Sequence, residues 1–124
     1  MKKFLTLILI FFFEFSQIKS KEPKLEEIIS GMNSPWSLSF VNKNKVLITE
    51  KSGNLLLVNL KDKSLKKIRH NLNVLEDGQG GLLEVLFHKD NIYISYSEDR
   101  GGGNSSTSVA SRSEEHTSEL QSPM

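Results

Sequence analysis

From residue 77 to residue 88 the chain reads Asp77-Gly78-Gln79-Gly80-Gly81-Leu82-Leu83-Glu84-Val85-Leu86-Phe87-His88, a polar, glycine-rich turn that enters an apolar strand with no linker between them. Gly78, Gly80 and Gly81 have no Cβ, so this backbone is free to take positive φ and to let another molecule come close. Gln79 stands among them with a carboxamide that both donates and accepts hydrogen bonds. An amide offered on a glycine platform at the mouth of a sheet suits recognition of a polar ligand. The same residues equally suit a tight connection between strands, in which the glycines serve geometry and Gln79 is only solvated. Elsewhere, His70 follows the basic run Lys66-Lys67-Ile68-Arg69, a pattern that reads as a solvated edge.

The elements that position this turn are short strands. Ser34-Pro35 marks a turn, and Trp36 to Val41 alternates apolar and polar residues as a half-buried strand does. Asn42-Lys43-Asn44 turns the chain into a second strand, Val46 to Glu50, rich in β-branched residues. Ser52-Gly53-Asn54 closes a hairpin into Leu55 to Leu60, and Lys61-Asp62-Lys63 leads to a weaker strand at Leu65 to Ile68. Leu25 to Ile29 reads as either a strand or an entry segment. Four strands joined by short turns predict an antiparallel meander. The pattern then recurs: Leu38-Ser39-Phe40 and Val46-Leu47-Ile48-Thr49 return as Val85-Leu86-Phe87 and Ile92-Tyr93-Ile94-Ser95, roughly 47 positions later. A four-strand unit recurring at roughly 40–50 residues is the signature of β-propeller blades, against which stands chance similarity between amphipathic strands. Blades bury their faces against neighbours, so one and a half of them cannot close a ring, and the chain is expected to be a fragment.

Composition narrows the classes. The chain has 124 residues, a formal net charge of +1 and no cysteine. Acidic and basic residues are mixed along it, which argues against a nucleic-acid surface with its basic stripe. Disulfides and thiolate metal sites are excluded. Lys2 and Lys3 precede an apolar run from Phe4 to Phe13, too short for a bilayer span of roughly 20 residues but suited to a secretory signal peptide. The expectation is a signal peptide over residues 1–20 with Lys21 first in the mature chain, and a periplasmic or secreted product with no membrane span once it is removed. An uncleaved anchor or a buried helix is the other reading of that run.

The ordered set Ser34-Pro35-Trp36-Ser37-Leu38-Ser39-Phe40, Leu47-Ile48-Thr49-Glu50-Lys51-Ser52-Gly53-Asn54-Leu55, Asp77 to Leu83, Phe87-His88 and Ile92-Tyr93-Ile94-Ser95-Tyr96 resembles the start of the soluble quinoprotein glucose/sorbosone (aldose sugar) dehydrogenases. The likeness runs from about Ile28 to Ala110. It implies an all-β fold, a six-bladed β-propeller of which about the first one and a half blades are present over residues 21–111. It also implies pyrroloquinoline quinone (PQQ) as cofactor, calcium with ligands outside this stretch, an aldose oxidised at its anomeric hydroxyl by hydride transfer, and a separate electron acceptor. By the resemblance Gln79 is the cofactor-binding residue, and the catalytic base and the cofactor-clamping arginine and asparagine belong to later segments not present here. His88 matches a family histidine at a strand end, with Lys89 in place of the usual proline, and reads as structural. Lys51 stands where many relatives carry arginine, keeping the charge and losing the bidentate fork. Glu50 is placed either to face the central channel of such a ring or to be solvated at a strand end.

Residues 112–124 break the strand pattern. Arg112 to Ser122 resembles the translation of a common short-read sequencing adapter, so a non-native tail is expected there, with a genuine disordered tail as the other reading. Two further functional classes stay open on the residues alone: a non-catalytic exported propeller that binds a protein or glycan, and a small exported β protein complete at this length.

Overall fold

The computed structural model describes residues 20–113. The expected signal peptide lies outside them but for Ser20, as does the expected tail beyond Ser113. Residues 20–32, including Leu25 to Ile29, form no regular secondary structure. Seven strands follow: β1 Pro35–Asn42, β2 Lys45–Glu50, β3 Leu55–Asn59, β4 Leu65–Ile68, β5 Leu82–His88, β6 Asn91–Gly101 and β7 Asn104–Ser113. The first four make one antiparallel sheet in the order β1-β2-β3-β4, and the last three make a second, β5-β6-β7. The meander read from the turns is therefore present, and the fold is all-β.

Side-chain chemistry closes the short turns. Asn42 Oδ1 accepts the Asn44 N–H at 2.9 Å between β1 and β2. Between β3 and β4, Asn59 Oδ1 accepts the Lys61 N–H at 3.0 Å and Asp62 Oδ1 accepts the Ser64 N–H at 2.9 Å. These are the local Asx bonds that make Asn and Asp frequent in turns. The side chain and backbone of Ser64 hold the Asp62 carboxyl below its ordinary pKa.

Alternation along each strand sorts residues onto two faces. In the first sheet Ser39 pairs with Leu47 and Leu47 with Leu57, while Leu38 pairs with Ile48 and Ile48 with Leu56. The Leu47 face packs on the second sheet, where Leu47, Leu55 and Ile68 meet Leu82, Val85, Ile94 and Tyr96 in one buried cluster. Among the described residues, the Leu38 face has no sheet against it. There Leu38, Phe40, Val46, Ile48 and Val58 line an apolar groove of about 370 Å³ that Ile28, Ile29 and Met32 border.

β6 continues past Tyr96 through Ser97, Glu98, Asp99 and Arg100, further than hydrophobic alternation alone indicates. Its partner β7 contains only Val109 and Ala110 as apolar residues, and its strand geometry comes from continuous pairing with β6. Arg112 and Ser113 belong to β7, opposite Ile92 and Asn91. Arg112 Nη1 is buried with no hydrogen-bond partner among the described residues.

Leu38 and Phe40 are 59% and 60% exposed, side by side on one sheet face. A contiguous apolar patch of this kind is a site of association. Expressed alone, residues 21–124 are expected to be largely unfolded or aggregated. Light scattering and a thermal melt check this, and a soluble monomer with a sharp cooperative transition would count against it.

Candidate functional site

The glycine-rich turn lies at the entrance to β5. Gly80 N–H donates to Asp77 O at 2.7 Å, closing a four-residue turn. Positive φ falls on Gly78 (+53°) and not on Gln79, the arrangement in which a leading glycine is favoured. Gly81 also has positive φ (+150°), whereas Gly80 does not. Glycine at position 80 answers a different constraint, since a Cβ there would lie 2.7 Å from Ser97 Oγ.

Gly81 is the tightest point. An added Cβ would lie 2.4 Å from the Lys51 carbonyl oxygen. That closeness allows Leu82 N–H to donate to Lys51 O at 3.0 Å while Ser97 N–H donates to Gly81 O at 2.9 Å. The root of the turn is thus wedged between the end of β2 and the middle of β6. Its tip carries Gln79, which is exposed and whose amide has no partner among the described residues.

Lys51 reaches the tip as well. Its Nζ donates to Gly78 O at 2.5 Å and overlies the Trp36 ring, 5.9 Å from the centroid. Its N–H donates to Ser34 O at 3.0 Å. Trp36 is 45% exposed, so an aromatic ring, an ammonium and a free carboxamide share one surface. The sequence reading picked out Gln79 but missed Trp36 as a neighbour of this turn. No local spacing signals it, because β1 and the 77–81 turn meet through Lys51, distant from both in sequence.

The other candidates take structural places. Glu50 is buried, its carboxylate accepting the Asn33 N–H at 2.7 Å and the Asn54 Nδ2–H at 2.6 Å. It ties the entry segment to the β2–β3 hairpin and is neither solvated nor free to face a channel. The basic run before His70 is the solvated edge its pattern predicts, with Lys66 and Lys67 exposed on the edge strand β4 and Arg69 exposed just past it, while His70 itself is half-buried. Its Nδ1 accepts the Leu72 N–H at 3.3 Å, so Nε2 carries the proton and donates to Gly53 O at 2.6 Å. His88 is exposed at the far end of β5, about 20 Å of strand away from the turn. Among the described residues no three His, Asp or Glu side chains converge as a metal site, and no helix is long and apolar enough to cross a membrane. The arrangement can orient a polar ligand through Gln79.

Residues 32–123 match the Glucose / Sorbosone dehydrogenase family. Among solved structures, a glucose dehydrogenase is 34% identical with a TM-score of 0.70, covering 80% of this chain and 31% of its own. The soluble aldose sugar dehydrogenase from Escherichia coli, in its apo form, is 30% identical with a TM-score of 0.61, over 71% of this chain and 27% of that one. The PQQ-bound aldose sugar dehydrogenase from Streptomyces coelicolor superposes with a TM-score of 0.64 at 18% identity, over 82% and 32%, a likeness of fold alone. No curated protein matches the chain significantly. The chain belongs to the glucose/sorbosone dehydrogenase family, and it spans about a third of the length of these solved relatives.

Gly81→Ala is expected to destabilise the protein expressed from the intact gene by about 1–3 kcal/mol, because the new Cβ meets backbone and the φ is unfavourable. Gly78→Ala, with nothing within 4 Å of its Cβ, should cost less. Denaturant melts of the two variants side by side check the order.

Proposed function

We propose that this chain is the N-terminal part of an exported, six-bladed quinoprotein that oxidises aldose sugars at the anomeric hydroxyl, with Gln79 contributing to the PQQ site. The observation that carries the proposal is the exposed, unpartnered Gln79 amide on a turn whose glycines leave its approach clear, in a chain of this family. The sheets support the same reading: two successive antiparallel sheets pack on one another, and the outer face of the first keeps Leu38 and Phe40 exposed beside an apolar groove.

The residues present fit such a cofactor in one respect. PQQ is a flat polyanion with quinone oxygens, and Gln79 Nε2 would donate to one of its acceptor groups. Gly78 adds no side chain that would stand in the way. When bound, PQQ accepts the hydride removed from the anomeric carbon of the sugar. The work of Gln79 is orientation and stabilisation of charge, which is the protein's usual part in cofactor chemistry. Removal of the sugar's hydroxyl proton calls for a base near neutral pKa close to the substrate. His70 has both ring nitrogens engaged and Glu50 has its carboxylate engaged, so neither is that base. The base, the clamping residues and any calcium ligands are assigned to the remaining length of the protein, and the fragment by itself is expected to be inactive. A periplasmic or secreted location follows from reading residues 1–20 as a signal peptide.

The protein expressed from the intact gene and loaded with PQQ and calcium is expected to oxidise aldoses with an artificial electron acceptor. A folded, PQQ-loaded protein inactive on every aldose tested would favour a non-catalytic propeller that binds a protein or glycan.

Gln79→Ala in that protein should leave stability within about 0.5 kcal/mol of wild type, as for ordinary surface changes. Losing a hydrogen bond to a charged cofactor group costs roughly 1.5–3 kcal/mol, so PQQ affinity should fall about tenfold or more. Titration of the apo-protein with PQQ, alongside thermal melts, reads both. Unchanged affinity would leave the turn as a connection between strands and nothing more.

A further inference from the structure

We propose that Lys51 is the positioning residue of the Gln79 turn, its ammonium holding the tip in the conformation in which the carboxamide meets the ligand. The inference rests on the proposed function for the identity of that ligand. The turn is anchored unevenly. Its root is fixed by backbone bonds, Leu82 N–H to Lys51 O and Ser97 N–H to Gly81 O, and by the lack of room for any side chain at Gly81.

Its tip is a different matter. Gly78 has no atom within 4 Å of where a Cβ would sit, and Gln79 is exposed. Besides the turn's own Gly80 N–H to Asp77 O bond, the tether that reaches the tip is Lys51 Nζ, donating to Gly78 O at 2.5 Å. Glycine-flanked backbone has wide conformational freedom, so a tip without that bond would sample many orientations of Gln79.

Lys51 is built for this role. Its main chain is held on both sides, through its N–H to Ser34 O and its carbonyl to Leu82 N–H. The side chain is steadied by the Trp36 ring at 5.9 Å, within cation–π range. A long, flexible side chain normally loses rotamer entropy when it makes one bond. Here the ring attracts the ammonium itself, on the same side chain that bonds Gly78 O.

The test uses the protein expressed from the intact gene as wild type, Lys51→Met and Lys51→Arg. Methionine keeps an unbranched stem and removes both the donor and the charge that faces Trp36, and arginine keeps charge and donor. Three measurements are taken: amide hydrogen exchange over residues 76–82 of the apo-protein, PQQ affinity by titration, and the thermal melt. Lys51→Met is expected to speed exchange in the turn and to weaken PQQ binding about three- to tenfold, the effect of one ordinary hydrogen bond. Its melt should stay near wild type, and Lys51→Arg should restore slow exchange and affinity.

Wild-type exchange in Lys51→Met would overturn the proposal. So would faster exchange spread through β5 and β6 with a lowered melt, which would make Lys51 a general stabilising residue. A wild-type protein that binds no PQQ would remove the proposed function, while exchange in the turn would still decide the role of Lys51.

Discussion

The second sheet is held to the first by a free backbone edge that bonds to side-chain hydroxyls. β5 pairs with β6 along one edge only, and its other edge lies against the face of β1. There Val85 N–H donates to Ser37 Oγ at 3.3 Å and Phe87 N–H donates to Ser39 Oγ at 2.9 Å. Beside them Thr49, fully buried, donates its hydroxyl to Leu83 O. A buried N–H left without an acceptor costs roughly 1–3 kcal/mol, so these hydroxyls are a condition for packing the sheets at all. The two serine contacts span the same 48 positions, which means β1 and β5 run in the same direction side by side. The recurrence of roughly 47 residues in the sequence is the outward sign of that stacking. The second unit sets its first strand beside the first strand of the first.

The position of the candidate site follows from the same register. With Val85 set against Ser37, the chain three residues earlier must pass Lys51, and it does so by the Leu82 N–H to Lys51 O bond. Gly81 then falls where β2 ends, with no space for a Cβ. The turn can only project outward from that point, which carries Gln79 to the surface above Lys51 and Trp36. The glycines divide the work: position 78 supplies a positive φ, position 80 clears Ser97, and position 81 does both for the Lys51 backbone.

How much of this the sequence reveals depends on the range of the forces involved. β1 to β5 and the start of β6 are legible because burial on one side imposes alternation, as in Trp36 to Val41, and because Asn, Asp and Gly mark their turns. β7 is not legible. Asn104-Ser105-Ser106-Thr107-Ser108 has no apolar alternation, and its strand geometry is imposed by pairing along β6. The glycine-rich turn was legible as a platform, but positive φ is absent at Gly80, where the constraint comes from Ser97 seventeen residues on. The engagement of Glu50 and the partial burial of His70 are not legible for a related reason. A charged or polar residue at a strand end is usually solvated, and what buries these two is backbone from elsewhere, Asn33 for the first and Gly53 for the second.

Those engagements divide the labour of any chemistry at this surface. A general base needs a lone pair that is free and within reach of the proton it removes. His70 donates through Nε2 and accepts through Nδ1, and Glu50 binds a backbone N–H with one oxygen and a side-chain amide with the other. His88 stands at the opposite end of β5 from the turn. Gln79, which is free, has no basic lone pair worth the name, since an amide binds protons far too weakly. On the proposed reading, residues 20–113 contribute recognition and orientation through Gln79, and the proton of the sugar is taken by a group outside them. A site assembled in that way from distant segments needs its recognition loop held still before the rest arrives. The wedge at Gly81 and the reach of Lys51 to Gly78 provide that hold from within the first two sheets.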